Sequence, residues 1–240
     1  MSNRKNWAVV FVYAVAMAWV ESAVVFYLRT LLNRIEPHQS MPLPKIGHLG
    51  VAEIVREAAT MIMLLTVGFL AGRTWRQRLG YTAMAFGVWD IFYYIFLKVM
   101  CGWPHTILDW DVLFLIPLPW WGPALSPMLI ALLMILWGTV ATQWERKTPP
   151  LRTEIVAWTT GGIGAIIALG VFMADTLTAA PRGEYAVRNV VPEYFDWPLF
   201  SFALVLMAAP VIHAIWHAWP VRPVQATLPT TLAGTLEAGE

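Results

Sequence analysis

Long apolar segments alternate with short polar ones along most of this chain. Six of them cover, by residue number, about 7–28, 51–71, 80–100, 123–141, 155–174 and 198–219. Each comes close to the ~20 apolar residues that an α-helix needs to cross the hydrocarbon core of a bilayer. The first continues past Ala14–Ala16, where a signal-peptide cleavage site could be read, so we expect a retained helix. The pattern predicts an all-α, polytopic integral membrane protein with one six-helix domain over residues 1–219.

Positive charge in the loops predicts the orientation of these helices. Residues 73–78 and 146–152 each contain three Lys or Arg residues within a short stretch. Short cytoplasmic loops carry such an excess, so we expect both loops and both termini to be cytoplasmic. Residues 29–52 also contain three such residues and oppose this orientation, but that loop is longer. Residues 220–240, rich in Pro, Thr, Ala and Gly, are expected to form a disordered cytoplasmic tail.

The stretch between the third and fourth helices departs from the simple pattern. Residues 112–141 exceed one straight span by about ten residues. Four prolines interrupt this stretch, at positions 117, 119, 123 and 127. Because proline breaks helices, we expect residues 107–118 to form an interfacial or re-entrant piece and helix four to begin near Pro123. This Pro- and Trp-rich segment would cap the outer ends of the other helices, and residues 107–120 should not span the bilayer.

Ionisable residues inside three of the predicted helices mark a candidate site. Glu21 lies in helix one and Asp90 in helix three. Helix two begins with Glu53, Arg56 and Glu57. At the helical rise per residue, Glu21 and Glu57 both lie roughly 10 Å from the outer ends of their helices. Ionisable groups at membrane depth are costly and need partners or a function, so we expect these groups to converge near the outer face.

Several carboxylates in a poorly solvated site cannot all ionise without compensation, and three kinds of compensation remain open. They could pair with the cations Arg56 and Lys98 as a structural network. They could share protons and act in acid/base catalysis, with the candidate catalytic residues Glu57, Glu21, Asp90, Tyr94 and Arg56. They could bind a divalent metal, with ligands drawn from Glu21, Glu53, Glu57, Asp90, His105, Asp109 and Asp111.

Tryptophans are concentrated where the outer interface is expected. Trp103, Trp110, Trp120 and Trp121 lie in or beside the capping segment. Such residues usually form an aromatic belt at the membrane surface. If the segment instead encloses a groove, Trp110, Trp120 and Trp121 would form an aromatic wall that suits a lipid tail or a quinone ring as cofactor or ligand.

His213 and His217 are four residues apart and therefore share one face of helix six. The nearby Trp216 and Trp219, at the cytoplasmic end, favour an interfacial belt. A metal or haem site remains the alternative interpretation.

Composition narrows the choice of function. The net charge of +1 and the absence of a Lys/Arg-rich block argue against nucleic acid as a partner. A single cysteine, Cys101, allows no internal disulfide and is expected to be a small buried apolar residue.

The polar groups lie at one membrane level and the chain shows no internal repeat, which argues against a transport path. We expect a membrane-embedded enzyme or ligand-binding protein that acts on a lipid-like or quinone-like molecule near the outer face. A small subunit of a larger membrane complex, with other membrane subunits as partners besides lipid, is the second interpretation. A proton-coupled carrier is the third.

The predicted orientation can be checked by labelling single cysteines with a membrane-impermeant reagent on intact cells. A cysteine near Asp109 should react, whereas one near Arg76 should react only after the membrane is opened, because the positive loop is cytoplasmic. Equal labelling of both positions from one side would contradict the topology.

Overall fold

A computed structural model describes residues 2–38, 48–144 and 151–218. Six of its helices are long and apolar enough to cross a membrane, which confirms the all-α, polytopic architecture. Most of the positive stretch 146–152, and the whole of the predicted tail 220–240, lie outside the described residues.

The helices extend beyond the apolar segments that predict them. The elements are α1 (Asn3–Leu31), α2 (His48–Ala71), α3 (Trp75–Cys101), β1 (Trp110–Phe114), β2 (Trp120–Pro123), α4 (Leu125–Gln143), α5 (Leu151–Ala179), α6 (Glu184–Arg188), α7 (Trp197–Met207) and α8 (Ala209–His217), with a 3-10 turn at Ala180–Arg182. Polar flanking residues add turns that a count of apolar residues omits. At α3, the Thr74 side chain accepts a hydrogen bond from the Gln77 amide, and Gly102 ends the helix at φ 76°.

The predicted sixth helix is not continuous. It is interrupted at Ala208, between α7 and α8. Pro210, in the first turn of α8, has no backbone N–H to continue the hydrogen-bond ladder of α7. One predicted helix is therefore two helices in sequence within a single span.

Helix α3 is the centre of the first half of the bundle, where it packs against α1, α2 and α4. Glycine brings α3 and α4 close together, because Gly138 lies against the backbone of Gly80 and Gly87 lies against that of Ala131. In the second half, α5 packs on α7 and α8. On α5, Gly164 is buried against the backbone of Ala203, whereas the neighbouring Ala165 is exposed.

The capping segment folds as an antiparallel β-hairpin of β1 and β2, with Trp110 opposite Pro123. As expected, it is not a spanning helix. The amides of Ala124 and Leu125 donate to the carbonyl groups of Asp109 and Ile107, 2.9 and 2.7 Å away, which ties the hairpin to the start of α4. We call this end of the bundle the hairpin end; it is the end predicted to face outside.

Close packing of α3 on α4 predicts a position-specific effect of one added methyl group. Gly138→Ala should lower the free energy of unfolding by about 1–3 kcal/mol, because the new Cβ would overlap the Gly80 carbonyl oxygen. Gly170→Ala on α5 is the matched control, since no atom of the described residues lies within 4 Å of its Cβ position. Thermal unfolding in detergent measures both, and equal effects would contradict the packing.

Candidate functional site

A cavity of about 590 Å³ opens among α1, α2, α3, α4, the hairpin and the α5–α6 region. The structure brings the ionisable residues of three helices together here. Its carboxyl groups are those of Glu21, Glu53, Glu57, Asp90, Asp111 and Glu184. The first four were expected to converge from their positions in the sequence, and Tyr94 and Arg56 also line the cavity.

Arg56 joins two of these carboxylates. Its guanidinium group forms ion pairs with Glu21 on α1 and with Glu53 on its own helix. A further bond runs from Arg56 Nε to Glu53 Oε2 over 2.9 Å. The second oxygen of Glu21 accepts a 3.0 Å hydrogen bond from Thr60 Oγ1. This group therefore fastens the half of α2 at the hairpin end to α1.

Glu57 lies beside this network but has no cation of its own. No guanidinium or ammonium nitrogen of the described residues lies within 4 Å of its carboxyl oxygens. Its one hydrogen bond among the described residues is 3.2 Å long and comes from the backbone amide of Leu115, just after β1. Glu57 is 8% exposed. It therefore connects α2 to the hairpin as an acceptor.

Asp90 is the second carboxyl group without a cation. It is 8% exposed, and its Oδ2 atom is buried with no hydrogen-bond partner among the described residues. It lies close enough to Asp111 for the two to interact electrostatically. An uncompensated carboxyl group in such a place is unusual, because buried polar atoms are almost always satisfied.

Asp111, at the hairpin, is paired with a cation that the sequence did not single out. Its Oδ1 atom lies 2.8 Å from Arg29 Nη2, and the carboxyl group is 1% exposed. The Arg29 guanidinium group also stacks over the ring of Trp103, 4.1 Å from its centroid. Burial raises the pKa of Asp111, whereas Arg29, the amide of Val112 and the hydroxyl of Tyr94 favour its charged form.

Arg29 was read from the sequence only as a positive residue that opposes the predicted topology. Arg29 lies at the end of α1, before a loop that is predicted to be outside. A cation in that position is the feature of the sequence that could have indicated an acidic partner. Trp103, expected in a lipid-facing belt, is buried beneath this guanidinium group. The ring serves the ion pair because its face attracts the cation.

The aromatic wall of the cavity differs from the expected one. Of the three tryptophans proposed for it, Trp120 lines the cavity, whereas Trp110 stacks on His38 and Trp121 is buried in the hairpin. The wall is instead formed by a series of rings in contact, Trp89, Phe86, Phe114, Trp120 and Phe172. Alternation along β2 explains why Trp120 and Trp121 differ, because neighbouring residues of a strand point to opposite faces.

Three residues proposed from the sequence lie outside the cavity. Lys98 is exposed and donates to the carbonyl oxygens of Gly102 and His105, at 3.0 and 3.4 Å, so it caps α3 rather than pairing with a carboxylate. His105 contacts Glu36 on the surface, with 3.2 Å between Nε2 and Oε1. Partial burial acts to raise the pKa of Asp109, but hydrogen bonds from Thr106 and His105 keep it below the ordinary value.

For a metal, the arrangement is less favourable than the spacing suggested. Within the described ranges, no three His, Cys, Asp or Glu side chains lie close enough to bind one ion. Glu21 and Glu53 already share Arg56, and of the three ligands proposed from the capping segment only Asp111 reaches the cavity. Nor do His213 and His217 join the site: their rings contact each other near the end of α8, tilted by 35° with 4.3 Å between the centroids.

The chain matches no protein-family model, no curated protein and no solved structure. The proposed chemistry of the cavity therefore rests on the side chains that line it.

Removal of the charge of Asp111 should destabilise the protein strongly. Asp111→Asn leaves the buried Arg29 guanidinium group without its carboxylate, and we expect a loss of about 3–5 kcal/mol in the free energy of unfolding. Glu184→Gln is the control, because it breaks a pair with Arg188 in which the glutamate side chain is 76% exposed. That change should cost less than about 1 kcal/mol. Similar losses in the two variants would contradict the assignment.

Proposed function

We propose that this integral membrane protein binds a lipid-like or quinone-like molecule in the cavity at its hairpin end, and that Glu57 and Asp90 transfer protons to or from the bound molecule. The observation that carries the proposal is the presence, in a cavity with aromatic walls, of two buried carboxyl groups that form no ion pair with any of the described residues.

Size and lining support a ligand site. Small-molecule sites usually enclose a few hundred to about a thousand Å³ and combine apolar walls with few polar groups. The cavity volume of about 590 Å³ lies within that range. Rings of Phe86, Phe114 and Trp120 supply flat apolar surface for a chain or a quinone ring.

The two carboxyl groups support acid/base chemistry. A carboxyl group that is not engaged by a guanidinium group keeps an oxygen for the proton of a ligand. Glu57 and Asp90 meet this condition, whereas Glu21, Glu53 and Asp111 hold the arginines in position. The site thus has separate groups for structure and for proton transfer.

The interior away from the hairpin end favours a one-sided site over a carrier. The core between α1, α2 and α3 is apolar there, with Val10, Ala14, Leu64 and Met84 among its buried residues. A carrier needs polar groups that accept the solute or proton on the other side as well. Within the described residues, the buried carboxyl groups all lie around the cavity.

A pair of tryptophan substitutions on α4 tests whether the cavity holds a molecule. Ile130 lines the cavity, whereas Leu132, two residues further on, is 47% exposed. Protein transferred from its native membrane directly into nanodiscs should retain a small molecule enriched over bulk lipid, identified by solvent extraction and mass spectrometry. Leu132→Trp should retain it and Ile130→Trp should not. No enriched molecule, or equal retention by both variants, would contradict the proposal.

Glu57→Gln tests the chemical role of the residue we consider most important. The amide oxygen can still accept the Leu115 hydrogen bond and no cation loses a paired carboxylate, so stability should stay close to wild type. Retention of the molecule, or turnover of it, should fall by at least about tenfold if the carboxyl group transfers the proton. A variant that is destabilised by about 3–5 kcal/mol yet fully active once folded would show that Glu57 is only a structural counter-charge.

A further inference from the structure

The ionisable groups of the cavity do not balance. Six carboxyl groups line it, against four guanidinium groups. Each of the four already has an oxygen partner: Arg29 with Asp111, Arg56 with Glu21 and Glu53, Arg188 with Glu184, and Arg34 with the Pro37 carbonyl group. Among the described residues, Glu57 and Asp90 are therefore left without a cation within 4 Å, and no guanidinium group that lines the cavity remains uncommitted for an anion.

Asp90 lines the cavity together with a series of aromatic rings, and Phe86 lies one helical turn before it on α3. Trp89 contacts Phe86 at 5.3 Å between ring centroids, Phe86 contacts Phe114 at 6.5 Å, and Phe114 contacts Trp120 at 5.1 Å. All four residues line the same cavity as Asp90. Ring faces attract organic cations, most strongly where water is excluded.

We propose that the ligand of this cavity carries an organic cation, a protonated or quaternary amine, held between the Asp90 carboxyl group and the aromatic wall, with its apolar part against the remaining lining. This inference rests on the proposed function: it keeps the lipid-like ligand and the proton-transfer role of Glu57, and it makes Asp90 the counter-ion of the ligand. It accounts for the buried Asp90 Oδ2 atom, which has no partner among the described residues. An organic cation also fits better than a metal ion, because it uses ring faces and does not need three converging ligands.

Two amphiphiles with the same chain test the proposal on the full-length protein in nanodiscs. Dodecyltrimethylammonium is a permanent cation and 1-dodecanol is neutral, and calorimetric titration gives both dissociation constants after subtraction of empty nanodiscs. The cation should bind at least about tenfold more tightly. Asp90→Asn should reduce that preference to near unity. Asp175→Asn should keep it, because Asp175 is exposed and does not line the cavity.

The outcomes distinguish a failure of the cationic ligand from a failure of the binding cavity. Equal affinities for the two probes, both abolished by Ile130→Trp, would overturn the cationic ligand and leave the binding cavity in place. If neither probe binds, both the cationic ligand and the binding cavity are overturned. If Asp90→Asn does not fold, Phe114→Leu takes its place: it removes one ring, keeps every charge, and should lower the preference for the cation. A preference that survives the loss of the carboxyl group or of the ring would overturn the assignment.

Discussion

Charge at membrane depth has to be compensated, and Arg56 is the group on which the hairpin end of this bundle depends. Its ion pairs with Glu21 and Glu53 join α1 to α2, where the α2 residues from 51 to 59 are otherwise largely exposed. Apolar side chains give little preference for one helix neighbour over another in lipid, because lipid tails are equally apolar. A shared guanidinium group specifies the position of α2, and it thereby also fixes where Glu57 stands, one residue further along the helix.

Polar contacts, one ion pair and two hydrogen bonds, hold the hairpin at three places. Asp111 pairs with Arg29 of α1, the Leu115 amide donates to Glu57 of α2, and Thr176 Oγ1 of α5 donates to the Pro119 carbonyl over 3.0 Å. A two-stranded hairpin is marginally stable alone, so these anchors and the packing of its tryptophans stabilise it. Because one anchor is Glu57, a residue that lines the cavity also holds the hairpin. Protonation of Glu57, or contact of its carboxyl group with a ligand, would alter the bond that holds the cap.

The fold was largely predictable from the sequence because the membrane imposes a length on each apolar helix. The convergence of Glu21, Glu57 and Asp90 was predictable for the same reason: depth along a spanning helix follows directly from residue number. The direction in which each side chain points was not predictable in this way. Lys98 shares a helical stripe with Asp90 and Tyr94, yet it caps its own helix end, because a long flexible cation can reach the exposed carbonyl groups there. The hairpin could be recognised as a non-spanning cap from its prolines, but strand pairing, and with it the inward position of Trp120, depends on register that the prolines do not determine.

Arg29 shows that a residue that counts against a predicted topology can have a specific structural partner. Positive residues on the expected outer side counted against the orientation, although one of them compensates a fully buried aspartate. A count of Lys and Arg does not register that the Arg29 guanidinium group is paired with Asp111 and stacked on Trp103. The pairing of the arginines also explains why the carboxyl groups of the cavity are not equivalent. Once Arg29 and Arg56 are committed to Asp111, Glu21 and Glu53, the remaining carboxyl groups, Glu57 and Asp90, are the only buried acids that line the cavity, within the described residues, without an arginine partner. Under the proposed function, these two are therefore the groups that exchange a proton with the ligand or pair with its positive charge.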